Sequence, residues 1–366
     1  MDSLHSPSAS YCAIVVWGKF SHKQSRESHM NKVTIGLDIA KNIFHLIWLS
    51  HFGKVLKKKK LKRANIKAYF ANLEPSIVVM EACGSTNYWA QTIESCGHEV
   101  KVIAPQYVVP YRKGNKNDFN DAEAIAEASQ RANMRFVPVK NIEQQDIQLL
   151  HRIRERRVKF RTAVINQTRG LLAEYGISIA QGANQVRKAV PNILEDADNK
   201  LTVLSRRHIA SLYDELLELD KQVKALDKEI SAVSNTKEVC QRLKTMTGIG
   251  AIIATAFYSA IGDGKAFKNG RHVAAWLGLV AKQHTTGDNP KLKGISKRGN
   301  TYLRTQLING ARAALIKAGN KTDKVSEWAS NLRKQLPFNK AVVALANKMA
   351  RMAWAMIVKK EDYKFA

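Results

Sequence analysis

The sequence predicts an α/β domain at the start of the chain and long helices over the rest. Two observations indicate this division. Before Pro138, short runs of β-branched residues alternate with helical patterns, which is typical of a mixed sheet covered by helices. Beyond Pro138, apolar residues recur every three or four positions over long stretches, which is typical of amphipathic helices.

The chain is strongly basic. Its 366 residues include 59 Lys and Arg against 31 Asp and Glu, a formal net charge of +28. Such a charge favours a polyanionic partner, and nucleic acid above all. We see no apolar run near the roughly 20 residues of a membrane span, so we expect no membrane partner. The four cysteines are scattered without metal-ligand spacing, which indicates reduced thiols in a cytosolic protein.

Residues 1–29 are expected to lie outside the folded core. They contain the apolar stretch YCAIVVW, but no basic segment precedes it and no cleavage site follows. Met30 stands directly before the first predicted strand. We therefore interpret 1–29 as a non-core extension or as an artefact of the assigned start site.

The first domain, 30–139, is predicted from its strands. VTIGLDI, IFHLIWL and the basic run KVLKKKKLK read as three successive strands, the last two separated by a turn at Gly53. A helix from about 65 to 73, a strand over 77–80, a helix near 88–95 and the strand EVKVIA follow. An antiparallel start followed by alternating helices and strands suits an RNase H-like sheet.

Four acidic residues of this domain predict a metal-dependent nuclease site. Asp38 ends the first strand and Glu81 the fourth, while Asp118 and Asp121 share one face of a helix that we expect to open at Asp121. Mg²⁺ prefers oxygen ligands, and two ions about 4 Å apart can stabilise both oxygens of a phosphoryl transfer. For any single acid, a helix cap or a surface ion pair is the alternative.

Residues 140–236 are predicted to form a coiled-coil arm. One helical pattern runs from 141 to about 175 and a second from about 201 to 233, where Leu212, Leu216 and Leu219 have near-heptad spacing. A connection containing Gly, Asn and Pro joins them. A dimerising arm and simple pairing of the two helices both remain open.

Residues 237–366 are predicted to form a third, mostly helical domain. In MTGIG, Gly248 and Gly250 suggest a helix-hairpin-helix-like turn that presents amides to a phosphate; a plain turn between helices is the alternative. Lys297, Arg298 and Arg304 are expected to contact phosphate, with a general basic surface as the alternative.

Six motifs in order resemble one family. IGLDIAK, VVMEACGS, KNDFNDAEAIAEA, TGIG, AAWLGL and GISKRGNTYLR are similar to the DEDD transposases of bacterial insertion sequences, relatives of the Piv DNA invertase. The resemblance covers nearly everything from Met30 onward. It implies a RuvC-like first domain, a coiled-coil arm and a C-terminal transposase domain. It also implies that Asp38, Glu81, Asp118 and Asp121 bind Mg²⁺, as one ion or a pair.

The resemblance also implies a nucleophile. The family has a serine before a glycine, eight residues after the glycine of its AAWLGL-type motif. Counting from Gly278 gives Thr286. A threonine hydroxyl can do the same chemistry once activated, although its methyl group stiffens χ1 and crowds the approach to phosphorus. Ser296 and Thr285 are the alternatives, and His284 could orient the nucleophile or the phosphate.

A recombinase is therefore the leading hypothesis. The resemblance implies a covalent protein–DNA link, a structured bridge RNA as guide, and a dimer or tetramer with composite sites. A bacterial, nucleoid-associated cytoplasmic protein is expected. Two alternatives remain: a nuclease that cuts branched DNA by water attack, and a catalytically silent nucleic-acid-binding protein.

Overall fold

The computed structural model describes residues 33–115, 117–286 and 289–364. The predicted extension 1–29 lies outside these residues. The chain forms two compact units, one ending at Val137 and the other starting at Pro138. The further division at 236 and 237 stays a prediction.

The first unit is built on a five-stranded mixed sheet. Its strands are β1 (Thr34–Asp38), β2 (Ile43–Leu49), β3 (Val55–Lys62), β4 (Ile77–Glu81) and β5 (Glu99–Ile103). They lie in the order β3-β2-β1-β4-β5, with β1, β2 and β3 antiparallel and β4 and β5 parallel to β1. The predicted α/β sheet is confirmed. Its central strands are mostly apolar because both of their faces are covered.

Helices cover both faces of this sheet. They are α1 (Ile66–Ala71), α2 (Thr86–Glu94), α3 (Pro105–Val108) and α4 (Asp118–Ser129). Trp89 of α2 packs edge-on against Phe44 on one face, with ring centroids 5.0 Å apart. On the other face, α4 begins at Asp118, three residues before the predicted start. The reason is Asn117, whose side chain accepts a hydrogen bond from the Phe119 amide and caps the helix.

Gly36 brings α4 close to β1. A Cβ atom at Gly36 would lie 2.0 Å from the carbonyl oxygen of Ala122, so no larger residue fits without moving the helix. Ala122 and Ala126 pack beside Ile47 and Leu49 of β2. These small side chains hold α4 against the centre of the sheet.

The second unit is largely helical, as predicted. Its helices are α5 (Ile142–Ala173), α6 (Ala183–Glu195), α7 (Val203–Thr236), α8 (Glu238–Lys244), α9 (Ala251–Ile261), α10 (Gly270–Trp276), α11 (Thr301–Lys317), α12 (Lys324–Gln335) and α13 (Phe338–Lys359). An antiparallel hairpin of β6 (Ala281–Thr286) and β7 (Asn289–Ile295) interrupts them.

The connection between the two long helices contains a helix of its own. We expected only a linker, but α6 lies there and buries Val186 and Val190 in a cluster with residues of α5 and α7. The Gly, Asn and Pro residues that suggested a linker flank or interrupt this amphipathic pattern. A role of the arm in dimerisation stays a prediction.

Helix α13 forms part of the core of the second unit. The helix has 22 residues and its most apolar stretch has a mean hydropathy of 1.4, so it is long and apolar enough to cross a membrane, contrary to the expectation that no apolar run approaches that length. Half of this apolar stretch is buried inside the unit, and core helices of soluble proteins can be equally long and apolar. Ala346, Ala350 and Ala353 are fully buried there. The helix is therefore weak evidence for a membrane partner.

Candidate active site

Asp38 and Glu81 lie side by side at the ends of neighbouring parallel strands. Leu37 pairs with Met80, and each acid is the next and last residue of its strand. Gly36 and Val79, two residues earlier, both contact α4. Because strand side chains alternate between faces, Asp38 and Glu81 both project on the α4 side. Adjacent strands are about 4.8 Å apart, so the two carboxylates lie close together.

Helix α4 contributes the other two acids from its first turn. Asp118 is the first helical residue and its side chain is 60% exposed, whereas Asp121 is buried. Both lie near the positive end of the helix dipole, which favours carboxylates. We call Asp38, Glu81, Asp118 and Asp121 the acid quartet.

The electrostatics of Asp38 indicate that the other three carboxylates lie near it. Burial raises the pKa of Asp38, and the charges of Asp121, Asp118 and Glu81 raise it further, to about 6. Arg112 acts in the opposite direction. A carboxyl group held in the field of three others has an excess of negative charge to be neutralised.

Arg112 partners one member of the quartet. Its Nε lies 2.5 Å from Oδ1 of Asp121, and the guanidinium is partly buried. Sequence reasoning missed this residue because the stretch YRKGNKND offers several cations with nothing to distinguish them.

His45 is a second residue that sequence reasoning missed. It pairs with Asp38 across β1 and β2, is 6% exposed, and places Nδ1 3.5 Å from Oδ2 of Asp118. Burial lowers its pKa, Asp118 raises it, and Lys60 on the next strand lowers it. Only the register of β2 reveals that this histidine faces the quartet.

The quartet fits Mg²⁺ by the chemistry of its donors. All four side chains offer hard oxygen ligands, the kind that Mg²⁺ prefers. Their accumulated charge, felt at Asp38, would be relieved by a cation. In the described part of the chain, however, no three His, Cys, Asp or Glu side chains already lie together as a set that could hold a metal ion.

Thr286 lies in the second unit, at the end of β6. It pairs with Asn289, and its side chain is exposed, so the hydroxyl is accessible. His284 is also exposed on this strand, while Thr285 accepts a hydrogen bond from Nε2 of Gln283 at 2.8 Å. The His, Thr, Gly and Lys residues of this stretch predict a loop from sequence, whereas the structure forms a strand here.

Ser296 is less accessible than Thr286. Its backbone amide donates to the carbonyl of Val280 at 2.8 Å. Its Oγ is buried and has no hydrogen-bond partner among the described residues. A buried hydroxyl is poorly placed to attack a phosphodiester in DNA.

The three predicted phosphate-binding cations differ in environment. Lys297 and Arg298 are exposed, but Arg304 is 7% exposed and donates through Nη1 to the carbonyls of Leu277 and Arg298, both at 2.9 Å. Arg304 is therefore engaged within the protein, and phosphate binding by this residue stays a prediction. Its guanidinium ties the segment after β7 to the end of α10.

Packing explains why one residue of the TGIG turn is a glycine. Gly248 has φ of +90°, and a Cβ there would lie 2.7 Å from the carbonyl oxygen of Gly310 in α11. Gly250 is exposed, caps α9 and has no heavy atom within 4 Å of its ideal Cβ position. Phosphate binding at this turn stays a prediction.

Comparisons with known proteins agree with the motifs. A family model for DEDD-type IS110 transposases matches residues 35–177, and the model "Transposase IS116/IS110/IS902 family" matches 240–326. The chain is 45% identical to the "Transposase for insertion sequence element IS1111A" of Coxiella burnetii, covering 93% of this chain and 94% of that protein. It is 37% identical to the transposase of element IS1328 of Yersinia enterocolitica, covering 89% and 97%.

More distant matches have other names. The "Pilin gene-inverting protein" of Moraxella bovis is 24% identical, over 90% of this chain and 96% of that protein. The Thermus thermophilus RuvC structure aligns with 29% of this chain and 99% of that chain, at 13% identity and a TM-score of 0.24. With two family models in order and close relatives along nearly its whole length, the chain belongs to the IS110/IS116 family of transposases.

Proposed function

We propose that this transposase cuts and exchanges DNA strands at the acid quartet to move an insertion sequence. The observation that carries this proposal is the placement of Asp38 and Glu81 below the first turn of α4, with the pKa of Asp38 raised to about 6. Such perturbed carboxylates are typical of catalytic metal sites. The relatives, described as transposases and a gene-inverting protein, favour the same reaction class.

The quartet would hold Mg²⁺, as one ion or a pair. Asp121 would then exchange its contact with Arg112 for one with the ion, while Asp38 would lose its unfavourable field. When bound, Mg²⁺ polarises the scissile phosphate and stabilises the charge that develops on its oxygens. His45 would keep the Asp118 carboxylate in place from the neighbouring strand.

Thr286 would supply the nucleophile. Its Oγ forms a bond to phosphorus while the bond between phosphorus and a deoxyribose oxygen breaks. The threonine proton passes to a base, and the departing sugar oxygen takes up a proton. In the second step a DNA hydroxyl attacks the phosphothreonine and releases Thr286. Each step exchanges one phosphate ester for another, so no ATP is needed.

The proposed assembly is a homo-oligomer, a dimer or a tetramer. One protomer would supply the quartet and another Thr286. The separation of these residues into two units of the chain is compatible with such sharing. The net charge of +28 suits binding of DNA together with a bridge RNA as guide. We place the protein in the bacterial cytoplasm, at the nucleoid.

A covalent trap tests the proposal. The full chain is incubated with Mg²⁺ and a DNA substrate whose cut strand cannot be rejoined, and protein–DNA adducts are separated under denaturing conditions. We expect an adduct with the natural chain and with Thr286→Ser, and none with Thr286→Ala or Asp38→Asn. The matched control Thr285→Ala should still form it.

Other outcomes would identify the alternatives. Metal-dependent cleavage without an adduct would indicate a nuclease that uses water. Binding without cleavage would indicate a catalytically silent nucleic-acid-binding protein. An adduct that survives Thr286→Ala but not Thr285→Ala would move the nucleophile by one residue.

A further inference from the structure

The second unit contains an open groove of about 1400 Å³ with a strongly cationic lining. It lies between α10, strand β7, α12 and α13. Among the described residues, five cations and no acid line it. The cations are Arg271, Lys293, Lys340, Lys348 and Arg351. We call this feature the cationic groove.

These cations have no acidic partner in the part of the chain that the structure describes. Within the described residues, none of the five forms an ion pair with a carboxylate. Burial lowers the pKa of Lys348, and the charge of Arg351 lowers it further. Keeping two cations close together without an acid costs free energy that an anion in the groove would recover.

Helix α13 arranges three of the cations in a stripe. Lys340, Lys348 and Arg351 follow one another at helical intervals along the wall of the groove. With a rise of 1.5 Å per residue, the stripe is roughly 16 Å long. A nucleic acid strand carries about one phosphate per 3.4 Å of duplex axis, so the stripe would face roughly five of them.

An aromatic side chain lies beside this stripe. Nζ of Lys348 is 4.2 Å from the ring centroid of Trp328, which is half-buried in the wall formed by α12. The cation–π contact fixes the lysine at the groove. Trp328 also offers the kind of surface on which bases stack in single-strand binding proteins.

We propose that the cationic groove binds the sugar–phosphate backbone of a nucleic acid strand beside the hairpin that carries Thr286. Residues Leu292 to Ile295 of β7 form one of its walls, so a bound strand runs along that hairpin. The site contains no member of the acid quartet. The inference rests on the proposed function only for which nucleic acid the strand belongs to. Binding of a sugar–phosphate backbone follows from the charges of the groove alone.

Binding of labelled oligonucleotides tests the groove. The full chain is titrated by fluorescence anisotropy, in EDTA so that cleavage plays no part, at several salt concentrations. Single-stranded DNA, duplex DNA and RNA of one sequence are compared. The groove variant is Lys340→Gln with Lys348→Gln and Arg351→Gln. The control variant is Arg312→Gln with Lys317→Gln and Lys334→Gln, which removes the same charges from exposed positions outside the groove.

The groove variant should lose about tenfold or more in affinity at moderate salt for at least one probe. The negative slope of the logarithm of the binding constant against log salt should become shallower by roughly 2 to 3, because each phosphate contact contributes about 0.7 to 0.9. The control variant should change the slope by less than about 1. The probe that loses most identifies the strand.

Equal losses in the two variants, or no loss in the groove variant, would overturn the proposal. Thermal unfolding of each variant checks that the fold survives. The milder pair Arg271→Gln with Lys340→Gln uses exposed positions only, and should still lower the slope by roughly 1 to 2. Because this assay needs neither metal nor cleavage, its result is independent of the covalent trap.

Discussion

Asp38 has a strongly perturbed carboxyl group at the candidate site. It ends a buried strand and faces three other carboxylates, and its pKa is raised to about 6 from an ordinary value of 3.8. The ionised form is therefore disfavoured in the folded state. Below pH 3.8 this cost is absent; it grows as the pH rises through 6 and is complete above it.

Replacing Asp38 by Asn should consequently stabilise the metal-free protein at high pH. We expect a gain of about 1–2 kcal/mol in the free energy of unfolding at pH 8, after allowance for partial exposure, and none near pH 4. Urea unfolding in EDTA at the two pH values measures it. Glu74→Gln, at an exposed position, serves as the control. A gain of equal size at both pH values would contradict the assigned cause.

Part of the site could be predicted at this scale and part could not. The four acids stand out because they follow strands or begin a helix in a basic chain. His45 cannot be recognised, because only the pairing of β1 with β2 places it opposite Asp38. The burial of Arg304 could not be predicted, because its position after a basic segment suggests exposure, whereas its guanidinium donates to the carbonyls of Leu277 and Arg298.

Among the elements, α4 depends on Gly36. Substitution by Ala would place a Cβ 2.0 Å from a backbone oxygen, so the helix or the strand must shift. We expect Gly36→Ala to cost about 2–4 kcal/mol of stability and to weaken Mn²⁺ binding at the quartet. Gly84→Ala is the matched control, because no heavy atom lies within 4 Å of its ideal Cβ. If the two variants lose equal stability and equal Mn²⁺ affinity, the close contact at Gly36 does not hold α4 in place.

The position of the segment between β7 and α11 depends on the hydrogen bonds that Arg304 donates. Arg304→Ala should cost about 2–3 kcal/mol, because a buried carbonyl and a partly buried one lose a charged donor. Arg298→Ala, at an exposed position, should cost less than about 0.5 kcal/mol. Thermal unfolding compares the two. A stability loss confined to Arg298→Ala would reverse the roles assigned to these arginines.

The strands of the first sheet and the long helices were predictable, whereas the hairpin of β6 and β7 and helix α6 were not. The strands of the first sheet and the helices α5 and α7 follow from their periodicity. The hairpin of β6 and β7 was expected to be a loop because β6 is exposed along its whole length. Helix α6 was hidden by the glycine, asparagine and proline around it, although Val186 and Val190 show its buried side.

For the whole molecule, the proposal of composite sites predicts complementation. Asp38→Asn and Thr286→Ala should each be inactive alone. When subunits of the two variants are mixed and allowed to exchange, a mixed dimer has one site with both natural residues. Strand exchange should therefore recover to a fraction of natural activity. No recovery, despite subunit exchange shown by differently tagged chains, would mean that each protomer supplies its own nucleophile.

The central claim is that the acid quartet gathers divalent cations, and anomalous diffraction from crystals grown with Mn²⁺ tests it most directly. Mn²⁺ accepts the same oxygen ligands as Mg²⁺ and can be located by its own scattering. We predict one or two peaks within bonding distance of Asp38 and Glu81, with Asp121 turned from Arg112 toward the metal. Crystals of Asp38→Asn should lose them. Mn²⁺ bound only elsewhere, with the four carboxylates pointing to separate surfaces, would contradict the account.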